Sequence, residues 1–427
     1  MNANRILIRN AKIIDPTSGH HGKVMDICIE DDTIKEIGNK LDIDDAEVFE
    51  ADNLHVSPGW FDLRAHFWDP GHEEKEDIES GINAAIFGGF TGVAVSPDTN
   101  PPIDSKADVE YVYKKAEEFP VGVYPYGAIT KGQKGEELSE MYDMYQAGAV
   151  GFSQGKSPLA NSALLKLALQ YHRSFSPPLH LMPLDHDLAK GGQIHEGEKS
   201  IYLGLKGIPA LAEEVSVQRD LHLAQYAETG VHFMGISAES TLGILSQARK
   251  EGKDFTADVA VGNLYFTDED LESYDTRLKA MPPFRSKKDN EALIQALNDD
   301  LISAIASDHL PQDIENKKCE FDHAAFGIIA LESFIGAIGK SLEGKVSWER
   351  IIELISINPR RILNLEIPSI EEGNWAELTF FNPALEWTFE KKHIQSKSAN
   401  SPFIGKPLKG KSLGIFNKGT MVWLADM

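Results

Sequence analysis

The chain lacks what extracellular stapling, membrane insertion and nucleic-acid binding require. Only two of its 427 residues are cysteine. That is too few for a disulfide framework or a cysteine-rich zinc ribbon, and it is consistent with a reducing compartment. Cys319, in the loop-like run 316-NKKCEFD-322, has no catalytic partner in the sequence. No run of about eighteen apolar residues occurs, so no membrane-spanning helix is expected. The opening MNANRILIRNAKIID has neither the apolar core nor the small-residue cleavage site of a signal peptide and reads as a strand. A cytoplasmic location is therefore expected. Positive charge is scarce: 42 Lys and Arg stand against 66 Asp and Glu, a net charge of -24. Phosphate backbones and anionic bilayers are held by basic surface, so neither nucleic acid nor a membrane is an expected partner. Internal repeats, low-complexity tracts and phosphate-cradling glycine loops are missing too.

What is present fits a large globular protein. Apolar residues make up 42% and charged residues 25%, and the length suits a large barrel with a satellite domain. Residues 5–14, RILIRNAKII, alternate apolar and polar, and 24–38 reads as a hairpin turning at Asp31-Asp32. The far end is similar: 376-AELTFFNP-383, 386-EWTFE-390 and 413-LGIFNKGTMVWL-424, whose Asn417-Lys418-Gly419 signals a turn. The two ends are expected to pair into one small β-sandwich, residues 1–55 with 365–427.

Between them, strand-like and helix-like stretches alternate. Apolar runs at 92–97, 122–127, 149–153, 179–184, 231–237, 255–260 and 302–307 are separated by helical patterns such as 79–89, 161–173 and 290–300. Repeated β-α units of this kind predict an α/β fold with a parallel sheet, closed over residues 56–364 into a (β/α)8 TIM-type barrel. In such a barrel the reactive side chains lie at the C-terminal ends of the strands. Those ends read Arg64 and His66, then 153-SQGK-156, Met182 with Asp185, 235-GIS-237, and Asp308-His309. Arg64 and His66, two apart on one strand, share a face.

Several runs, in chain order and across nearly the whole length, resemble the dihydroorotase family of amidohydrolases. They include 58-PGWFDLRAHFWDPG-71, 96-SPDTNPPID-104, 147-AGAVGFSQGKSP-158, 194-IHEGEKSIYLGLKGIPALAEE-214, 305-IASDHLPQD-313 and 396-SKSANSPFIG-405. The resemblance implies an amidohydrolase barrel. It also implies zinc-dependent, reversible hydrolysis of dihydroorotate to carbamoyl aspartate.

The family's ligand positions are largely replaced. Its Asp-x-His-x-His run keeps Asp62 and His66 but has Arg64 for the first histidine. Its substrate-gripping arginine is Trp68, and one substrate asparagine is Asp98. The metal-bridging aspartate becomes Gln154, and the next two histidines become Met182 and Gly235. Another substrate asparagine is Met281, within 281-MPPFR-285. Asp308, the family's general base and metal ligand, remains with His66. Among the resemblance's substrate-binding positions, His309 and Arg285 remain.

Zinc needs three or four N, O or S ligands. A guanidinium has no lone pair to give, and a thioether is a poor match. The chain is therefore expected to hold no metal cofactor. Arg64 is expected to take the metal's place by pairing with Asp308, since a half-buried carboxylate without a cation costs several kcal/mol. Lys156 is read as a salt-bridge or solvent-facing lysine, His180 as a hydrogen-bonded residue one layer deeper, and His232 as a structural histidine facing the other way. The polar segment 311–322 reads as a mobile loop. With the fold retained and the site lost, the resemblance to dihydroorotase-like chains implies a structural or regulatory partner of aspartate carbamoyltransferase, and a homodimer. Two alternatives stand beside it. One is an active enzyme whose zinc is rebuilt from His66, Asp308, His309 and His180. The other is a metal-free small-molecule binder in which Arg64 and Arg285 meet an acid.

Overall fold

The computed structural model describes residues 5–173, 175 and 177–425. The N-terminal part forms β1 (Arg5–Ile13), β2 (Val24–Glu30), β3 (Thr33–Gly38), β4 (Glu47–Phe49) and β5 (His55–Pro58). The expected hairpin is β2–β3, and Asp31 in its turn has φ 59°.

Next come β6 (Trp60–Ala65), β7 (Phe90–Val95), β8 (Gly122–Pro125), β9 (Gly127–Ala128), β10 (Phe152–Ser153) and β11 (Leu179–Leu181). A short parallel pair, β12 (Ile194–His195) and β13 (Gly207–Ile208), stands apart from them. The series ends with β14 (Val231–Phe233), β15 (Phe255–Ala260) and β16 (Ala304–Ala306). The strands β6-β7-β8 pair in parallel, and so do β9-β10-β11-β14-β15-β16. Tyr126, between β8 and β9, still donates its N–H to Val95 O at 3.0 Å. At the other end Ala65 pairs in parallel with His309, and His66 N donates to His309 O at 2.8 Å. Helices fall between the strands, as a parallel series requires. One is Ile78–Gly88, whose N-cap Asp77 accepts from Ser80 N. The fold is thus mixed α/β.

The C-terminal strands are β17 (Leu378–Thr388), β18 (Pro407–Asn417) and β19 (Thr420–Trp423). The two expected strands around 376–390 are one, with a register shift between Asn382 and Glu386. β17 pairs antiparallel with β5, and β5 with β1, so both chain ends share a single eight-stranded sheet. Its isoleucines, among them Ile8, Ile13, Ile27 and Ile29, form one apolar cluster with Leu378 and Phe380. The larger core fills the space between the parallel strands and their helices. Among the described residues no helix is long and apolar enough to cross a membrane.

Candidate functional site

The carboxyl ends of the parallel strands gather a chain of buried charges. From β6, Arg64 donates through Nε to Asp308 Oδ1 at 2.7 Å and through Nη1 to Asp258 Oδ2 at 3.0 Å. The Arg64–Asp308 contact is the one expected from sequence. Lys156 Nζ reaches Asp308 from the other side, at 2.6 and 2.8 Å from its two oxygens, and also donates to Met281 O at 2.8 Å. Asp258 accepts from Gly235 N at 2.7 Å and lies 3.1 Å from His232 Nε2. Arg64 is 4% exposed, Asp308 7% and Asp258 0%, so these charges meet in a medium where unpaired ions are expensive.

The electrostatics follow from burial set against partners. Burial would push the Asp308 carboxyl up, but Lys156 and Arg64 outweigh it and hold it below the usual carboxylate range. Asp258 is likewise held low, burial being outweighed first by Arg64 and then by His232. Burial alone would lower the guanidinium; Asp258 and Asp308 raise it instead. Burial draws the Lys156 ammonium down, and Asp308 counters only part of that. Asp62 lies below this layer. It accepts Ser307 N at 2.8 Å and the Ser307 hydroxyl, yet burial still lifts it to about 6.

His66 is 2% exposed. Its Nε2 lies 3.4 Å from Asp98 Oδ2, and its ring sits 5.4 Å from that of Trp68. Asp98 also accepts from Lys156 N and Gln133 Nε2, each at 3.0 Å. The close approach depends on Gly155, whose φ is 59° and where a Cβ would fall 1.4 Å from Asp98 Oδ1. Gly235 is the second such position. Its φ is 71°, and a Cβ there would lie 3.3 Å from Arg64 Nη2 and 3.2 Å from Pro282 Cδ.

The side chains present do not fit the zinc that the resemblance implies. Arg64 and Gly235 offer no donor. Gln154 is tied to Thr130, receiving the Thr130 N–H at 3.2 Å and donating to Thr130 Oγ1 at 2.5 Å. Among the described residues no three His, Cys, Asp or Glu are placed to hold a metal ion. The four residues of the rebuilt set go separate ways. His66 and Asp308 are engaged as above. His309 is fully buried, its Nδ1 accepting from Ala330 N and Leu331 N at 3.2 and 3.3 Å. His180 Nδ1 is 3.4 Å from Tyr126 Oη, and its ring lies 4.5 Å from His232.

Other expected residues are placed differently from the reading above. His232 faces the charged interior, against the expectation. Strand alternation counted back from Gly235 fails because β14 ends at Phe233 and Gly235 is left-handed. Arg285 has different protein partners from Arg64. It donates to Ser237 Oγ at 2.7 Å and lies 3.5 Å from Glu213. Glu213 also accepts the Ser237 and Ala238 N–H groups, fixing the turn that carries Gly235. The segment 311–322 is anchored: it contains the helix Ile314–Lys317, and Lys317 Nζ donates to Ala325 O at 2.7 Å and Thr276 O at 2.9 Å.

Asp258 was missed from sequence. The signal was there, in a lone carboxylate within 255-FTADVA-260. A strand buried on both faces tolerates a carboxylate only if a cation meets it. The run 151-GFSQG-155 has the spacing of a nucleophile elbow. Yet Ser153 is 1% exposed, and its Oγ contacts Met234 Sδ at 3.8 Å and Gly155 N at 3.0 Å, with no base in hydrogen-bond reach among the described residues.

Above the ion pairs opens a cavity of about 750 Å³, whose walls include Trp68, Asp98, Lys156, Arg219 and Phe326. Trp68 is held there by its indole N–H on Pro311 O at 2.9 Å.

Comparison with known proteins places this geometry. A sequence model of the family described as Dihydro-orotase-like matches residues 54–241. The dihydroorotase of Ruminiclostridium cellulolyticum is 40% identical over 421 residues, covering 98% of each chain. That of Acetivibrio thermocellus is 37% identical over 420 residues, again 98% of each. Among solved structures, the L-hydantoinase (dihydropyrimidinase) of Arthrobacter aurescens superposes with a TM-score of 0.86 at 22% identity, over 98% of this chain and 96% of that one. This last likeness is one of fold. The chain belongs to the dihydroorotase family, within the amidohydrolase superfamily.

Proposed function

We propose that this chain is a dihydroorotase homologue that has exchanged its metal centre for an internal ion-pair network. In this reading it serves pyrimidine synthesis as a structural or regulatory partner of aspartate carbamoyltransferase. The observation that carries the reading is Arg64, held between Asp258 and Asp308 with Lys156 on the far side of Asp308. Two fixed cations stand where the family's chemistry calls for metal, and among the described residues no three of the remaining donors are grouped to hold one. Without activated water the amide carbonyl of a cyclic substrate meets no nucleophile.

The partner half of the proposal draws on surface that the mouth does not use. Ile201 and Tyr202, on the helix Glu198–Leu203, are each 83% exposed, within the run 194–214 that resembles the family without carrying chemistry. Exposed apolar side chains of this size suit a protein interface.

The same proposal includes the architecture. Counting β8 and β9 as one strand interrupted at Tyr126, the eight parallel stretches from β6 to β16 close a (β/α)8 barrel over residues 56–364, supported by the Ala65–His309 bridge. The shared terminal sheet of 1–55 and 365–427 curls into a sandwich, supported by its single apolar cluster. A cytoplasmic homodimer completes the reading.

Two other readings have an observation each. Near full-length identity to chains named dihydroorotase favours an active zinc enzyme. The mouth cavity of about 750 Å³ favours a metal-free binder. Metal content of protein purified without chelator, measured by plasma mass spectrometry, separates them. The expected result is far below one zinc per chain, no thermal shift on adding zinc, and no turnover of dihydroorotate. About one or two zinc per chain with turnover would instead establish the enzyme. Co-elution with aspartate carbamoyltransferase on size exclusion is expected, and separate elution across micromolar concentrations would remove the partnership.

A further inference from the structure

A second cavity, of about 520 Å³, lies beside the mouth and belongs to none of the chemistry above. Four separate stretches of chain wall it: Glu74, residues 275–277, residues 312–318, and residues 391–404. Its charge runs against that of the chain. Five of its fifteen lining residues are Lys or Arg and three are acidic, in a protein with 42 Lys and Arg in 427 residues and a net charge of -24.

The acids are also largely committed. Asp275 takes the Arg277 guanidinium through both oxygens, at 2.9 and 2.6 Å. Asp313 accepts Asn316 N and Nδ2 at 2.9 and 2.6 Å. Glu74 lies 3.6 Å from His72 Nδ1. Of the cations, Arg277 is matched by Asp275, and Lys397 by Asp77. Lys317 spends its ammonium on backbone carbonyls, with no carboxylate within ion-pair distance among the described residues. Lys318 and Lys391 are exposed and, among the described residues, pair with no carboxylate, Glu390 being taken by Lys392. Ile314, 69% exposed, together with Ala399 and Ile404 gives the cavity an apolar side.

We propose that this cavity binds a small organic anion, a carboxylate or phosphate ester carrying an apolar body, and that its occupant acts on the loop that carries Asp308. Unmatched ammonium groups over an apolar wall are the complement of such a ligand. The link to the mouth is covalent and short. Gln312 lines both cavities. Its N–H donates to Asn400 Oδ1 at 3.1 Å, and Asn400 Nδ2 donates to Leu310 O at 3.1 Å and Gly327 O at 3.0 Å. Leu310 is two residues from Asp308. A ligand that fixes residues 312–318 therefore fixes the chain that presents Asp308 to Arg64 and Lys156. Binding in the cavity stands whether or not the chain retains a metal, because none of its lining residues belongs to the ion-pair network; the link to Asp308 rests on the proposed function.

Calorimetric titration of the full chain at low salt tests it with three probes. Phenyl phosphate carries both charge and ring, inorganic phosphate the charge alone, and benzyl alcohol the ring alone. The expected order is phenyl phosphate tightest, at one per chain, with affinity falling as salt screens the lysines. The variant K318E/K391E changes only exposed side chains and should weaken phenyl phosphate about tenfold or more. Equal affinity for phenyl phosphate and phosphate would overturn the organic-anion assignment. Unchanged binding in K318E/K391E, or none to any probe at millimolar concentration, would overturn the site. Hydrogen exchange across 308–318 should slow when phenyl phosphate binds, and unchanged exchange would sever the proposed link to Asp308.

Discussion

Replacing Arg64 by methionine removes the cation from the centre of the network while keeping a side chain of similar length. Asp308 retains Lys156, at 2.6 Å. Asp258 fares worse, keeping only His232 and the Gly235 N–H. Both carboxylates stay out of water, since Asp258 is 0% and Asp308 7% exposed. Breaking a buried pair by deleting one partner costs about 3–5 kcal/mol, against a total of roughly 5–15 kcal/mol for a folded protein.

The pH dependence gives the sharper signature. With Arg64 present, the Asp258 carboxyl is held low. Its stabilisation is in place above the unfolded carboxylate value and lost as pH falls through the folded one. Without Arg64, burial dominates and lifts the folded value above the unfolded one. The group then penalises the fold at neutral pH, and the penalty shrinks as acid protonates it. Urea unfolding of wild type and R64M at pH 8 and pH 5.5 should show the larger difference at pH 8. The double variant R64M/D258N should recover part of the loss, giving a coupling energy of at least about 1 kcal/mol. A loss below about 1 kcal/mol with no pH dependence would refute the view that Arg64 compensates buried carboxylates.

Other outcomes follow from the same geometry. Gly235→Ala forces a left-handed alanine against Arg64 and Pro282, and should lower stability by about 1–3 kcal/mol in thermal melts. Asp62→Asn should be more stable than wild type near pH 7. Burial lifts Asp62 to about 6 in the fold, so its charge is a penalty above that pH, relieved as the group protonates on the way down to about 4. The advantage, on the order of 1–3 kcal/mol, should vanish by pH 4 in a denaturation series. Lys156→Gln leaves Asp308 with Arg64 alone and should cost about 1–2 kcal/mol by urea unfolding, the lower figure reflecting a partly exposed ammonium.

The sequence carried the parallel series well, because apolar runs such as 255-FTADVA-260 and 179-LHL-181 recur at the spacing of β-α units. It also carried the Arg64–Asp308 contact, since a carboxylate at a strand end demands a cation and Arg64 was the new one. A lone carboxylate in 255-FTADVA-260 signals the need for a cation at Asp258, but nothing local reveals that Arg64, from another strand, is the one that meets it. His232 was misdirected by an alternation that a left-handed glycine breaks. The helix Lys106–Ala116 was overlooked because it buries only Val109, Val112 and Ala116, too narrow a stripe to stand out. The role of Glu213 lay beyond reading, as its partners, the Ser237 and Ala238 N–H groups, the Ser237 hydroxyl and Arg285, are distant in sequence.

The joining of β5 to β17 has a consequence for how the chain is made. Val56 pairs with Phe380, and Trp60 N donates to Thr379 Oγ1 across 319 residues. On the ribosome β5 emerges early and waits for its neighbour. At about 5–20 residues per second that interval is roughly 15–60 s, during which one edge of β5 is open to other strands. The nascent protein therefore has reason to engage a chaperone at its N-terminal end, and truncations that remove β17 should aggregate before they lose any charge pair of the interior.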